Sequence, residues 1–185
     1  MAIKMKGKNY TVIDDFLPKE EFEEIKYNVC NSESFAWSFV KHVSTNIETE
    51  EEVLAKEREQ LWCWYFVHML YRHNIPRSEF FEPIYNCFIP KFEEMGIFQS
   101  LIRIKANFYP HTETLRKHEL HEDYEKYTKG ALFSLNTCDG YTGFKDGSKV
   151  ESVANRLLLF DTSVPHHSTT TTTCEARWNL NFNFL

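Results

Sequence analysis

The sequence predicts a mostly β domain with flanking α-helices, built as a sandwich or a barrel. In residues 101–185, apolar and polar side chains alternate along several short segments, which is the period of half-buried strands. Turn residues separate these segments at intervals typical of antiparallel sandwiches and barrels. The chain also has 16 Phe, 9 Tyr and 4 Trp, which are large enough to fill the space between packed sheets.

With 185 residues, the chain is long enough to bury a core without disulfides. We expect one domain over residues 1–185, with a helix-rich part at 1–100 and a β core at 101–185. The five cysteines form no CxxC pair and are odd in number, so we expect reduced thiols in a cytoplasmic protein. The net charge of −6 gives no general attraction to nucleic acid, and no segment reaches the roughly 18 apolar residues that a membrane span needs.

The N-terminal part is predicted to begin with a strand and a helix. The segment Tyr10–Phe16 has the composition of a short strand. Pro18 suits the first turn of a helix, where a missing N–H costs nothing. An apolar stripe at helical spacing follows, made of Phe22, Ile25 and Val29.

Three further segments complete the N-terminal part. The highly charged segment Glu48–Gln60 is typical of a solvated helix or a mobile loop. The apolar run Leu61–Leu70 predicts a buried strand or a buried helix, and periodicity does not distinguish the two. A helix is predicted to run from Ser78, which can cap it, toward Glu94, with Gly96 ending it.

Two strands of the C-terminal part each have one polar face. Their segments are 101–109 and 177–184, in which every second residue is apolar. These faces could be the solvated side of an antiparallel sheet, or they could line a ligand pocket in which polar groups bond one another. The residues of the two faces are Arg103, Lys105, Asn107 and Tyr109 on the first strand, and Arg177, Asn179, Asn181 and Asn183 on the second.

A possible metal site begins with His121 and Asp123, because residues i and i+2 of a strand point to one side. One imidazole and one carboxylate are two of the three ligands in the 2-His-1-carboxylate sites of Fe(II) enzymes. The third ligand would come from a distant strand, and His166 follows the apolar segment 156–160. Arg177 comes 11 residues later and carries a guanidinium that can bind a carboxylate through two hydrogen bonds.

Other side chains compete for these roles. The His-x-Asp pattern by itself also fits a surface loop in a charged stretch. His118 lies three residues before this pattern, but no carboxylate follows it at i+2. His167 would point to the side of a strand opposite to His166. Cys138 and Cys174 lie near the motifs, and we interpret them as small buried side chains.

In their order along the chain, these motifs resemble those of the 2-oxoglutarate/Fe(II) oxygenases, and within them the prolyl-4-hydroxylase-like branch. The resemblance covers most of the chain and is strongest over residues 101–185, while residues 9–25 are similar to the branch's N-terminal strand and helix. The matching motifs are Tyr109-Pro110, His121-Glu122-Asp123, Leu135-Asn136, Pro165-His166 and Arg177. Two positions depart from the pattern: Ser134 stands where many relatives carry a tyrosine, and Asp139-Gly140-Tyr141 replaces the usual Gly-Gly pair.

The resemblance implies a double-stranded β-helix, or jelly roll, with the N-terminal helices packed on the major sheet. It also implies 2-oxoglutarate and O₂ as co-substrates, with ascorbate as the reductant. Fe(II) would be held by His121, Asp123 and His166. The far carboxylate of 2-oxoglutarate would pair with Arg177, and the cofactor-binding residues are expected to include Tyr109, Ser134 and Asn179.

The activity that the resemblance implies is hydroxylation of an aliphatic C–H, with release of succinate and CO₂. We expect a peptidyl residue such as proline as the prime substrate. A second hypothesis keeps the chemistry but takes a free amino acid, a small metabolite or a nucleobase, and the acidic balance argues against the last. A third hypothesis is a non-enzymatic jelly-roll binding protein with a degenerate site, which Ser134 would favour. The expected partners are a peptide or a small molecule, with no nucleic acid and no membrane, and the protein is expected to be a monomer or a homodimer.

Overall fold

The computed structural model describes residues 2–6, 10–43, 62–124 and 128–185. The predicted charged segment Glu48–Gln60 lies outside these residues. Two helices and twelve strands are described: β1 (Ala2–Lys6), β2 (Tyr10–Asp14), α1 (Lys19–Cys30), β3 (Ser38–Val40), β4 (Tyr65–Arg72), β5 (Ile75–Pro76), α2 (Phe81–Glu94), β6 (Leu101–Pro110), β7 (Lys129–Ser134), β8 (Tyr141–Phe144), β9 (Lys149–Glu151), β10 (Arg156–Asp161), β11 (His166–His167) and β12 (Ala176–Phe184). The prediction of a mostly β chain with flanking helices is confirmed.

The strands form two antiparallel sheets. The larger has the order β1-β2-β10-β7-β12-β6-β4-β3, with β5 paired to β4, and the smaller has the order β11-β8-β9. Bridges from Lys117 to Thr169 and from His121 to His166 add residues 117–121 beside β11. From β6 onward the chain therefore passes back and forth between the two sheets, which is the winding typical of a jelly roll.

The N-terminal strands cover both edges of the central part of the larger sheet. Strands β1 and β2 lie outside β10, and β4 and β3 lie outside β6. Open edges would leave backbone N–H and C=O groups unpaired, so covering them protects the sheet. The prediction of a helix-rich region at 1–100 therefore needs correction, because its described residues hold five strands beside two helices. The apolar run Leu61–Leu70 was compatible with either a strand or a helix. Its residues 65–70 form most of β4, because this segment pairs with β6.

One face of the larger sheet carries a hydrophobic core that includes side chains of both helices. In α1 the predicted stripe of Phe22, Ile25 and Val29 is buried. In α2 the Phe88 ring centroid lies 4.9 Å from that of Phe133 on β7 and 4.7 Å from that of Phe182 on β12. Clusters of offset and edge-on rings of this kind combine area burial with favourable ring geometry.

Helix α2 begins later than its sequence suggests. The first helical residue is Phe81, and Ser78 instead accepts a hydrogen bond from the backbone N–H of Phe80 in the preceding turn. The helix ends at Glu94, and Gly96 follows with φ +66°, a backbone conformation that glycine adopts without strain. Neither this helix nor α1 is long and apolar enough to cross a bilayer, and these are the helices of the described residues.

The opposite face of the larger sheet looks toward the smaller sheet. A second apolar cluster lies at one end of this interlayer space and joins β2, β7 and β10 to β8 and β9; its buried members are Val12, Leu132, Phe144, Val150, Leu158 and Phe160. Beside this cluster, the polar residues of β6 and β12 face each other in register, with Tyr109 opposite Arg177 and Lys105 opposite Asn181. The alternation of polar and apolar residues along these strands therefore places a polar cavity next to an apolar cluster.

Candidate metal and carboxylate-binding site

A cavity of about 190 Å³ lies between the two sheets. Both polar faces predicted from the sequence contribute to it, so they are not the solvated side of a sheet. Its charged and strongly polar lining residues are Tyr65, Arg103, Lys105, Tyr109, His121, Asp123, Thr142, His166, Ser168, Arg177, Asn179 and Asn181. Leu132 and Phe160 close the apolar side.

The backbone joins the two histidine motifs directly. The N–H of His121 donates to the carbonyl of His166 at 2.9 Å, and the N–H of His166 donates to the carbonyl of His121 at 3.0 Å. This reciprocal pair brings together two residues 45 positions apart in the chain. The ring centroids of the two histidines consequently lie 4.7 Å apart.

Both imidazoles are oriented by their Nδ1 atoms. Nδ1 of His121 lies 3.2 Å from the carbonyl oxygen of Glu119, and Nδ1 of His166 lies 2.9 Å from that of Val164. A carbonyl can only accept, so in each ring Nδ1 carries the proton and Nε2 keeps a free lone pair. Metal-binding histidines are commonly held in this way, with the outer nitrogen fixed by a hydrogen bond.

Asp123 is held through one of its two carboxylate oxygens. Its Oδ2 accepts hydrogen bonds from the amides of Asn181 and Asn183, each at 3.3 Å, and lies 3.2 Å from Nη2 of Arg103. Burial alone would raise the pKa of this carboxyl, but the cations Lys105 and Arg103 outweigh burial and lower it below its ordinary value. Asp123 is therefore ionised at neutral pH, and its Oδ1, 3.9 Å from Nε2 of His121, remains for a further ligand.

Together, His121, Asp123 and His166 offer ligand atoms that all lie within 4.8 Å of one another, and we call these three residues the metal-type cluster. Burial, and then repulsion from His121, lowers the pKa of His166 to about 4. The imidazole is therefore neutral at pH 7, which is the form that binds metals. Two imidazoles and one carboxylate are a suitable ligand set for Fe(II) and leave further coordination positions open.

Arg177 lies across the cavity from this cluster and is 1% exposed. Its Nη1 donates to the carbonyl of Tyr141 and its Nη2 to the hydroxyl of Thr142, both at 2.9 Å, while its Nε has no partner. No Asp or Glu of the described residues forms an ion pair with it. A buried guanidinium without a carboxylate is costly, so this end of the cavity is suited to an anionic ligand.

Gly140 makes room for this arginine. A Cβ at this position would lie 2.8 Å from Cδ of Arg177 and 2.8 Å from the carbonyl oxygen of Thr170. The second of these atoms belongs to the backbone and cannot move aside cheaply. The Asp139-Gly140-Tyr141 segment thus keeps a glycine at the position where a side chain would displace the guanidinium.

Tyr109 is part of a buried polar network beside Arg177. Its ring centroid lies 5.7 Å from Cζ of the arginine, and its hydroxyl is hydrogen-bonded to Ser168. The Ser168 hydroxyl also bonds Nδ1 of His118 at 2.8 Å. Burial, and then repulsion from Arg177, lowers the pKa of His118 to about 3, so this imidazole is neutral. His118 therefore supports the cavity wall and lies outside the metal-type cluster.

Comparisons with known proteins were made for both sequence and structure. No family model and no curated protein matches the sequence. The structure is similar to a 2OG-Fe(II) oxygenase family oxidoreductase from Burkholderia pseudomallei, with a TM-score of 0.64 at 10% identity over 95% of this chain and 84% of that one. The chain has the fold of the 2-oxoglutarate/Fe(II) oxygenases.

Two further oxygenase structures share this fold. One is a prolyl hydroxylase from Trichoplax adhaerens in complex with a peptide fragment of the hypoxia-inducible factor oxygen degradation domain, with a TM-score of 0.59 at 16% identity over 95% of this chain and 83% of that one. The other is HygX from Streptomyces hygroscopicus with nickel, 2-oxoglutarate and hygromycin B, with a TM-score of 0.58 at 12% identity over 95% and 82%. At these identities the likeness establishes the fold of the oxygenases.

Within this oxygenase fold, the structure brings most of the residues predicted from the sequence to one cavity. Asn179 lines it and accepts a hydrogen bond from Asn107 at 2.9 Å. Ser134, predicted to bind the cofactor, is buried on β7 but is not among the residues that line the cavity. His167 lies outside the cluster, with its ring packed so closely over Gly143 that a Cβ there would collide with Nε2.

Several lining residues were not singled out by the sequence, and two of them, Thr142 and Ser168, bond directly to predicted site residues or their neighbours. Thr142 accepts from Arg177, and Ser168 joins Tyr109 to His118. The alternation of β8 could have pointed to Thr142, because its neighbours on the strand face the other way. Ser168 comes directly after the two histidines, and its side chain alone carries no comparable signal.

Proposed function

We propose that the protein is an Fe(II)- and 2-oxoglutarate-dependent dioxygenase that hydroxylates an aliphatic C–H. In this proposal the metal is held by His121, Asp123 and His166, and the far carboxylate of 2-oxoglutarate by Arg177. One observation carries the proposal. A single cavity has the metal-type cluster at one end and, at the other, a buried guanidinium that forms no ion pair with any described residue.

The residues of the cavity fit these two ligands. Each imidazole leaves Nε2 free, and Asp123 leaves Oδ1 free, which are the donors that a divalent metal would take. Nε of Arg177 and Nδ2 of Asn179 are buried donors that find no partner in the described part of the chain. An unsatisfied buried donor costs about 1–3 kcal/mol, and a bound carboxylate would remove this cost. When bound, Fe(II) and 2-oxoglutarate would supply the activation of O₂, with release of succinate and CO₂ and with ascorbate as the reductant.

The chain itself would position and shield the reacting groups. Asn181 and Asn183 donate to Oδ2 of Asp123, which fixes the carboxylate and so sets the direction of its free Oδ1. Leu132 and Phe160 exclude water on the apolar side of the cavity, which strengthens the electrostatic contacts inside it. The proposal takes residues 1–185 as one domain, with α1 and α2 packed on the larger sheet.

For the prime substrate we propose a peptidyl residue, with proline as the first choice. Support comes from the prolyl hydroxylase of the same fold whose structure contains a peptide fragment. A small molecule is the second candidate. It is supported by HygX, whose structure contains hygromycin B, and by the volume of the cavity, about 190 Å³.

The test is the formation of succinate by the purified protein with Fe(II), ascorbate and 2-oxoglutarate, without any prime substrate. We expect slow turnover in the wild type and in His167→Ala, and none in Asp123→Ala. His167 is the matched control because its imidazole lies beside the cavity but outside the metal-type cluster. Wild-type protein that neither forms succinate nor binds 2-oxoglutarate would favour a non-enzymatic jelly-roll binding protein instead.

A further inference from the structure

The lining of the cavity carries more positive charge than the proposed cofactors use. Among the described residues that line it, the cations are Arg103, Lys105 and Arg177, and the carboxylate is that of Asp123. A divalent metal and the dianion of 2-oxoglutarate cancel each other. Two positive charges therefore remain when both are bound, and an enclosed excess of charge attracts a ligand of the opposite sign.

Two of the three cations already have a role. Arg103 donates from Nε to Asn183 at 2.9 Å and forms an ion pair with Asp123 at 3.2 Å. Arg177 has the far carboxylate of 2-oxoglutarate as its proposed partner. Lys105 acts on Asp123 through its charge alone: no described residue forms a hydrogen bond or an ion pair with its ammonium, which lies 5.9 Å from the ring centroid of Tyr65.

Lys105 sits at the metal end of the cavity. It pairs across the sheet with Asn181, which donates to Asp123, whereas Arg177 pairs with Tyr109, four residues further along β6. Four residues of a strand span about 13 Å. A 2-oxoglutarate molecule reaching from the metal-type cluster to Arg177 would therefore leave Lys105 uncovered at the metal end of the cavity, the end at which a prime substrate would have to bind to react at the metal.

Lys105 remains a cation under ordinary conditions. Burial, and then repulsion from Arg103, lowers its pKa to about 8, which leaves the amine mostly protonated at pH 7. Lys105 helps to lower the pKa of Asp123, but among the described residues it is Arg103 that forms the ion pair with this carboxylate, and the amides of Asn181 and Asn183 donate to it. The ammonium of Lys105 is therefore left without a direct partner among these residues.

We propose that the prime substrate carries a carboxylate and that Lys105 binds it, which makes Lys105 a specificity-determining residue. This inference rests on the proposed function, since it places the substrate beside the metal and opposite 2-oxoglutarate. The carboxylate could belong to an acidic residue of a peptide or to a small free acid. Both use the same contact, an ammonium donating to a carboxylate.

The experiment measures binding to protein loaded with Zn(II) and saturating 2-oxoglutarate, which keeps the site occupied without turnover. Two matched pairs of probes separate the sources: butyrate against butyramide, and N-acetyl-glutamate methylamide against N-acetyl-glutamine methylamide. We expect the wild type to bind at least one acid about tenfold more tightly than its amide. Tighter binding of the glutamyl probe than of butyrate would assign a peptide, and the reverse order a small acid.

The variants are Lys105→Met, Lys105→Arg and the control Lys149→Met. The Met variant should bind acid and amide almost equally, and the Arg variant should keep the preference. Lys149 lies on β9, with its ammonium 4.7 Å from the ring centroid of Tyr141, and it is not among the cavity-lining residues. Its replacement by Met changes the net charge by the same amount as Lys105→Met, so this variant should behave as the wild type.

Three results would overturn the assignment of Lys105 while 2-oxoglutarate binding stays intact: equal binding of acid and amide by the wild type, a preference that survives in Lys105→Met, or no binding of any probe. A wild type that does not bind 2-oxoglutarate at all would overturn the proposed function itself, and the substrate inference with it. Thermal melting of each variant identifies misfolded protein, and Lys105→Gln replaces the Met variant if that one fails to fold.

Discussion

Replacing Arg177 by Met should weaken 2-oxoglutarate binding without disturbing the metal end of the site. The unbranched Met side chain fills most of the space of the arginine stem, so the change mainly removes the guanidinium. Nε of Arg177 has no hydrogen-bond partner among the residues that the structure describes, and a charge-assisted hydrogen bond from it to a carboxylate contributes about 1.5–3 kcal/mol. At about 1.4 kcal/mol per factor of ten, the Kd of 2-oxoglutarate should rise by about 10-fold to 150-fold.

The assay is isothermal titration of Zn(II)-loaded protein with 2-oxoglutarate and, separately, with pyruvate. Pyruvate has the same keto acid group but lacks the far carboxylate, so it reports on the metal end alone. The wild type should prefer 2-oxoglutarate, and Arg177→Met should lose that preference while its pyruvate affinity stays the same. An unchanged Kd for 2-oxoglutarate, or an equal loss for both acids, would refute the role given to this arginine.

Three further predictions concern the metal, the fold and acid stability. His121→Ala should abolish binding of Zn(II), whereas His167→Ala should leave the Zn(II) affinity within about twofold of the wild type, as measured by titration with a competing chelator. The opposite pattern would make His167 a metal ligand in place of His121. The side-chain amide of Asn155 hydrogen-bonds both the N–H and the carbonyl of Leu17, and Asn155 has φ +61°. In urea titrations, Asn155→Gly, which tolerates this backbone, should lower the free energy of unfolding by about 2–3 kcal/mol, and Asn155→Ala by roughly 1 kcal/mol more. Equal stability of all three proteins would show that these hydrogen bonds do not stabilise the fold. Burial alone would raise the pKa of Asp139, but hydrogen bonds from the threonines at 171–173 outweigh burial and lower the pKa to about 2, below its ordinary value of 3.8. The ionised carboxylate therefore stabilises the folded state above pH 3.8, and this stabilisation disappears as the pH falls through about 2. The difference in urea midpoint between wild type and Asp139→Asn should therefore be constant above about pH 4 and narrow as the pH falls from 3.8 to about 2. A difference that grows on acidification would contradict this prediction.

The positions of the site residues were largely predictable because strand alternation and the order of the motifs are written in the sequence. The asparagines and Arg177 of β12 fall on one face by their spacing alone, and β6 supplies the opposing polar face. The strand assumed for His121 and Asp123 was less accurate. His121 makes a single bridge and Asp123 lies in a bend, so the backbone pair with His166 does most of the positioning.

Other features depend on pairing between distant segments, which local pattern does not encode. The run Leu61–Leu70 is apolar on all sides and fits a helix as well as a strand until the free edge of β6 is known. Ser134 was expected in the site because it stands where many relatives carry a tyrosine, but it is not among the residues that line the cavity. The role of Thr142 on the short β8, which accepts from Arg177, could not be predicted before the packing of the two sheets was known.

The most direct test of the central claim is the affinity of wild-type protein for 2-oxoglutarate with and without saturating Zn(II). If the metal-type cluster and Arg177 hold the two ends of one molecule, Zn(II) should tighten binding by at least about tenfold, and Asp123→Ala should remove this effect. An affinity that is the same with and without the metal would contradict the account.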